Sequence, residues 1–212
     1  MKPRPSLSPP PPPAPSRARR QVWIYRGGFA RFSHSRYSAE PSDIANMFMH
    51  LTNVAIQKTA DNYDARSGGK WDLRSLKLHM TGRWGVEAVD RCFWNIQMII
   101  VRSLFAVQPV MIHDKHCFEL YGYDVMIDDA LKPWLIEVNA SPSLTANTRE
   151  DYVLKCEMLS DVLDVVDCEA KLDDGCESVG GFDLVYDNGF VEIDMNECAY
   201  STRLGSAILR KR

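Results

Sequence analysis

Long apolar runs are missing from this 212-residue chain. No stretch of about 18 apolar residues occurs, which excludes a membrane-spanning helix. The N-terminus also lacks the apolar core of a secretory signal. Cysteine is sparse and unpatterned: Cys92, Cys117, Cys156, Cys168, Cys176 and Cys198 include no C-x-x-C pair, so reduced thiols in the cytosol are expected. The histidines, His34, His50, His79, His113 and His116, show no zinc spacing, and His113 and His116 read as loop residues. Acid is absent from residues 1–39, which carry eight basic side chains. Base is scarce in residues 150–197, where fifteen acids meet only Lys155 and Lys171. A net charge of −3 hides this asymmetry. Each end reads as a solvated tail, or the basic end as a contact for an acidic polymer. There is no internal repeat.

What is present suits a soluble globular protein: 45% apolar and 25% charged residues in a length that allows one domain with a real core. Residues 1–20 hold eight of the twelve prolines, and the segment 1–21 is expected to be a polyproline or disordered tail. Val22–Tyr25 and Phe29–Phe32 are short and β-prone around Gly27-Gly28, a hairpin pattern. Residues 38–46 read as a loop, His50–Lys58 as a strand or tight strand-loop, and Asp61–Lys70 as a polar loop. Residues 73–80 suit a short helix. Val89, Phe93, Ile96, Ile100, Leu104 and Val107 recur at three- and four-residue steps, so residues 87–108 form an amphipathic helix, closed by Pro109. Leu154, Met158, Val162 and Val165 mark a second one over Tyr152–Val166. Residues 169–212 read as an acidic, weakly ordered extension.

The chemistry concentrates in FELYGYDVMIDDALKPWLIEVNASPSLT, residues 118–145. Side chains two apart on a strand share a face, so Glu137 and Asn139 can reach one ion together. Asp124 joins them if the two apolar segments pair across an Asp128–Lys132 turn. Two carboxylates and one amide oxygen, without His or Cys, suit Mg²⁺, whose remaining ligands are usually phosphate oxygens. A nucleotide-using enzyme follows. The other reading is a hairpin with ordinary surface acids. Against it, Glu137 sits inside Trp134-Leu135-Ile136-Glu137-Val138, where burying an unpaired carboxylate is costly. Thr52 and Asn53 form a polar pair that can bond a sugar or phosphate, or satisfy backbone groups in a turn. Arg31, Lys58, Lys70 and Lys155 flank apolar segments, either as surface charges or as a cluster for a carboxylate substrate.

HLTNVAIQK (50–58), GGKW (68–71), DKHCFELYGYDVMIDD (114–129) and LKPWLIEVNASPSLT (131–145), with EDYVLKCEML and VGGFDLVYDNG beyond them, together resemble the tubulin–tyrosine-ligase-like family, and within it the tubulin polyglutamylases. The resemblance runs over residues 22–168. It implies an α/β (α+β) fold, the C-terminal catalytic half of an ATP-grasp domain with an antiparallel sheet and packing helices. It implies Asp124, Glu137 and Asn139 as Mg²⁺ ligands, with Asp124 and Glu137 catalytic. Thr52 and Asn53 would touch ATP, and Arg31, Ala55, Lys70 and Lys155 the incoming glutamate. The implied reaction uses ATP to phosphorylate a glutamate carboxylate on the acidic tubulin tail, which the amino group of free L-glutamate then attacks. Mg²⁺ and ATP are the implied cofactor and co-substrate. The implied partners are tubulin or microtubules and any partner subunits, with no nucleic acid and no membrane. The implied places are the cytoplasm, cytoskeleton and cilium or flagellum. Family members carry a long segment ahead of the equivalent of Val22, holding the phosphate-binding lysine and the adenine clamp. A proline-rich stretch stands there instead, so an impaired clamp and apolar surface exposed at the missing half are expected. The alternatives are an inactive microtubule- or partner-binding protein, or a glycine or tyrosine ligase.

Overall fold

The computed structural model describes residues 21–33, 35–59, 69–111, 117–146, 148–173, 175–191, 200 and 202–209, apart from the side chains of residues 54 and 55. The proline-rich tail, His34, His113, His116, Asp114, Cys198 and most of the polar loop before Lys70 lie outside them. Helix α4 (Val86–Val107) is the spine of the core. Its Val89, Phe93 and Val101 are fully buried, which removes enough apolar surface to contribute roughly 1.5–3 kcal/mol for each large side chain. Around them pack Met80 of α3 (Leu73–Trp84), Ile24 of β1 (Gln21–Tyr25), Val185 of β7 (Phe182–Asp187) and Leu204. The helices expected over these stretches are present, α4 and α5 (Arg149–Val166) on the spacing of their apolar residues, and Pro109 lies in the 3-10 turn that follows α4. Gly85 separates α3 from α4 at φ +83°, a conformation open to glycine at little cost.

Among the described residues every strand pair is antiparallel, in three small sheets: β1–β7–β6, with β6 at Ser178–Val179; β2 (Phe29–Arg31) with β3 (Lys70–Asp72); and β4 (Gly122–Ile127) with β5 (Pro133–Asn139). This is the mixed α/β class with antiparallel sheet and packing helices that the sequence implied.

Three local expectations are corrected. β1 and β2 form as strands but not as a hairpin. The Arg26 N–H donates to the Gly181 carbonyl at 2.8 Å, while Leu73 N–H donates to the Gly28 carbonyl at 3.0 Å. The glycines thus pass the chain from one sheet to another. His50–Lys58 is not a strand. It spans the end of α1 (Met47–His50) and α2 (Val54–Gln57). Asn46 caps α1 by accepting from Phe48 N–H at 3.1 Å, and Gln57 ties the two turns by donating to the Phe48 carbonyl at 3.1 Å. Residues 178–187 are not weakly ordered: β7 is the middle strand of its sheet, with Leu184 and Val185 buried. Its acid Asp183 is buried against Arg26, which donates through Nε and Nη2 at 2.6 Å each. Paired in this way, a charge can enter a core.

Candidate active site

The Asp128–Lys132 turn sets the register of β4 on β5. Asp128 Oδ1 accepts from the Ala130 and Lys132 N–H groups at 3.0 and 2.9 Å, and its Oδ2 from the Trp134 indole at 2.9 Å. These bonds, the indole's foremost, hold the Asp128 carboxyl below the usual carboxylate range. The turn places Asp124 directly opposite Glu137, and Gly122 opposite Asn139. The register slips by one residue between Asp124 and Val125, leaving Ile136 as the extra residue of a bulge, a device that re-aims neighbouring side chains. Asn139 Nδ2 donates to Glu137 Oε1 at 3.0 Å. The structure therefore brings Asp124, Glu137 and Asn139 to one patch of the hairpin, as the two-residue spacing and the turn required.

One point differs. Glu137 is exposed, not buried in its apolar run, and its neighbours Trp134, Ile136 and Val138 are themselves 41–58% exposed. The carboxylate meets solvent at the hairpin surface, so the burial argument for a bound partner falls away and the cross-strand placement remains. Val125 and Ile127 anchor the hairpin to the core, and the Tyr123 and Ser103 hydroxyls share a 2.7 Å hydrogen bond that ties β4 to α4. Burial pushes the Tyr123 phenol up, against the opposing effect of that bond.

Two carboxylates and an amide that can turn its oxygen outward are a hard-oxygen set, and this fits Mg²⁺, which takes one or two carboxylates and completes its shell with water and phosphate. Among the described residues no cluster of three or more His, Cys, Asp or Glu offers a softer or more crowded site.

The cations come together elsewhere on the same cleft. Arg31 on β2 is in register with Lys70 on β3. Both sit over the Phe29 ring, at 5.2 and 4.4 Å from its centre. Lys70 Nζ reaches Asp151 Oδ2 at 3.3 Å, and Lys155 Nζ reaches the same oxygen at 3.4 Å. Lys155 also donates to the Thr145 carbonyl. Sequence reasoning overlooked Asp151. Two signals could have found it: the Thr148-x-x-Asp151 pattern at a helix start, where the Asp151 N–H donates to Thr148 Oγ1 at 3.1 Å, and the four-residue step to Lys155.

Thr52 and Asn53 lie exposed in the link between α1 and α2, not within a strand. The Asn53 carbonyl accepts from the N–H groups of Ile56 and Gln57 at 3.0 and 2.9 Å. Ala55 is in α2, and its side chain is outside the described set. Lys58 is exposed. One open cleft of about 2360 Å³ is lined by Arg31, Thr52, Asn53, Lys70, Asp124, Glu137, Asn139 and Lys155 together. The oxygen donors and the cations thus line one open cleft.

Residues 16–173 match the tubulin-tyrosine ligase family. A probable tubulin polyglutamylase TTLL9 of Bos taurus is 51% identical over 169 residues, covering 80% of this chain and 36% of that protein. The probable tubulin polyglutamylase ttll-9 of Caenorhabditis elegans is 50% identical over 167 residues, covering 79% and 40%. A probable alpha-tubulin polyglutamylase Ttll1 of Tetrahymena thermophila is 44% identical over 176 residues, covering 79% and 43%. The chain spans about two fifths of the length of these relatives. With the family match running over most of its residues, the chain belongs to the tubulin-tyrosine ligase family.

Proposed function

We propose that this chain carries the metal- and glutamate-binding part of an ATP-dependent ligase that adds glutamate to glutamate side chains of the tubulin C-terminal tail. The observation that carries this reading is that an oxygen-donor hairpin and a group of cations line the same open cleft. Family membership and relatives named as tubulin polyglutamylases support it.

Each part has a task. Asp124, Glu137 and Asn139 would hold Mg²⁺, which supplies positive charge to the phosphate oxygens of ATP. Thr52 and Asn53, exposed on the link between α1 and α2, would bond the nucleotide. Arg31, Lys70 and Lys155 would bind the carboxylates of the incoming L-glutamate, with Ala55 beside them, and orient its amino group for attack. A polyanionic tail, an amino-acid dicarboxylate and a triphosphate repel one another, and fixed cations offset that repulsion without reorganising during the reaction. Holding the reactants in place supplies much of the remaining rate. The fitting setting is the cytoplasm and cytoskeleton, at the basal body or axoneme of a cilium or flagellum.

The test is incorporation of labelled glutamate into microtubules by the purified chain with ATP and Mg²⁺. Glutamate incorporation that Glu137→Gln abolishes is the expected result. Labelled glycine or tyrosine incorporated in its place would overturn the choice of amino acid. No incorporation of any of the three, with salt-sensitive cosedimentation, would leave a microtubule-binding protein without turnover.

A further inference from the structure

Asp151 lies behind the cleft wall, its side chain 4% exposed, and takes Lys70 and Lys155 on a single oxygen. The two lysines are themselves nearly covered, at 13% and 15% side-chain exposure, yet both line the cleft. They come from distant parts of the chain, one from β3 and one from α5. Two ammonium groups in contact with one oxygen are close enough to repel strongly at a half-buried wall, and the carboxylate between them offsets that repulsion. Each ammonium has three N–H donors. Lys70 uses one on Asp151, and Lys155 uses one on Asp151 and one on the Thr145 carbonyl, so both keep a donor for a ligand.

We propose that Asp151 is a positioning residue that sets Lys70 and Lys155 as one carboxylate-binding pair. Its helix supports the placement: Asp151 is in the first turn of α5, capped by Thr148, where the helix dipole favours a negative charge. The local charge at the pair suits the substrate class that the ligase reading gives. Arg31, Lys70 and Lys155 less the Asp151 carboxylate leave two net positive charges, the complement of an amino acid with two carboxylates. A lone cation would serve a monocarboxylate equally well. The substrate consequence rests on the ligase reading, while the geometric one does not.

Two measurements separate them. The first is acetylation of the folded chain by acetic anhydride, read at each lysine by mass spectrometry. Lys70 and Lys155 should react about tenfold more slowly than exposed Lys171, and Asp151→Asn should raise both rates by a similar factor, the scale that coupled contacts reach. Equal rates at Lys70, Lys155 and Lys171 in the unmodified chain overturn the proposal, even if the Asp151→Asn protein does not fold. Rates unchanged in a folded Asp151→Asn protein overturn it as well. The second measurement is kinetic. Asp151→Asn should raise KM for glutamate about tenfold with KM for ATP unchanged, and adding it to Lys70→Met should cost little more than Lys70→Met alone. A purely structural role would lower apparent kcat with KM for glutamate untouched, and that result overturns the assignment. If the unmodified chain incorporates no glutamate, the ligase reading fails, and the acetylation rates still decide the role of Asp151.

Discussion

Replacing Asp183 by alanine should cost this fold a large share of its stability. Arg26 and Asp183 have side chains only 10% and 6% exposed, and they join β1 to β7 through two 2.6 Å charge-assisted bonds. Arg203 Nη1 leans on the same carboxylate at 3.4 Å. In the alanine variant the Arg26 guanidinium keeps the Ser178 hydroxyl at 2.9 Å and the Ala207 carbonyl at 3.5 Å but loses the Asp183 carboxylate, with a second guanidinium close by. Breaking a buried pair from one side costs about 3–5 kcal/mol, because a charge is left uncompensated in low dielectric. Total stabilities run at about 5–15 kcal/mol, so at least a fifth of the total is at stake. For a chain of this size that corresponds to a fall in Tm of roughly 6–20 °C. Urea unfolding followed by far-UV circular dichroism measures it. Arg26→Met combined with Asp183→Leu should recover most of the loss, since apolar replacement of both partners is often near neutral. A loss below about 1 kcal/mol for Asp183→Ala, the value of an exposed pair, would refute the reasoning and with it the claim that β7 is integral to the core.

Two further outcomes follow from the same packing. Gly180 has φ +55°, and a Cβ there would lie 2.3 Å from the buried Asp161 carboxylate that accepts from Gly181 N–H; Gly180→Ala should therefore cost more than the roughly 1–2 kcal/mol of left-handed strain alone, read as a lower urea midpoint. Burial pushes the Cys92 thiol from 9.0 up to about 11. Because the folded state holds that proton longer than the unfolded chain, stability should fall as pH rises from 9 towards 11, and Cys92 should resist alkylation at pH 8 while exposed Cys117, Cys156 and Cys168 react.

How much of this was legible in the sequence depended on range. The helices α4 and α5 were readable because three- and four-residue periodicity is local, while α3 was expected over residues 73–80 without such a stripe and runs on to Trp84. So was the β4–β5 hairpin, whose turn is built from Asp128 and its immediate neighbours. The pairing of β1 with β7 was not, since Trp23 meets Leu184 across most of the chain and nothing local distinguishes that partner from β2. At 50–58 the alternation of apolar and polar residues imitated a strand, while the Asn46 cap and the Gln57 side-chain bond to the Phe48 carbonyl hold helical turns. Among the candidate site residues, the shared patch of Asp124, Glu137 and Asn139 followed from strand spacing and from the Asp128–Lys132 turn. The exposure of Glu137 did not, because an apolar run records composition and not which face is covered. The cations Arg31, Lys70 and Lys155 looked like surface charges one at a time. Their meeting depends on β2 pairing with β3 and on the buried Asp151, both tertiary facts.

Manganese titration tests the hairpin as a metal site most directly. Mn²⁺ added to the isotope-labelled chain, alone and with ATP, should broaden the backbone amide signals of Asp124, Glu137 and Asn139 and the Asn139 side-chain amide first, and Asp124→Asn with Glu137→Gln should remove that selectivity. Broadening centred on other residues, or unchanged by those substitutions, would contradict a metal-binding role for these three side chains.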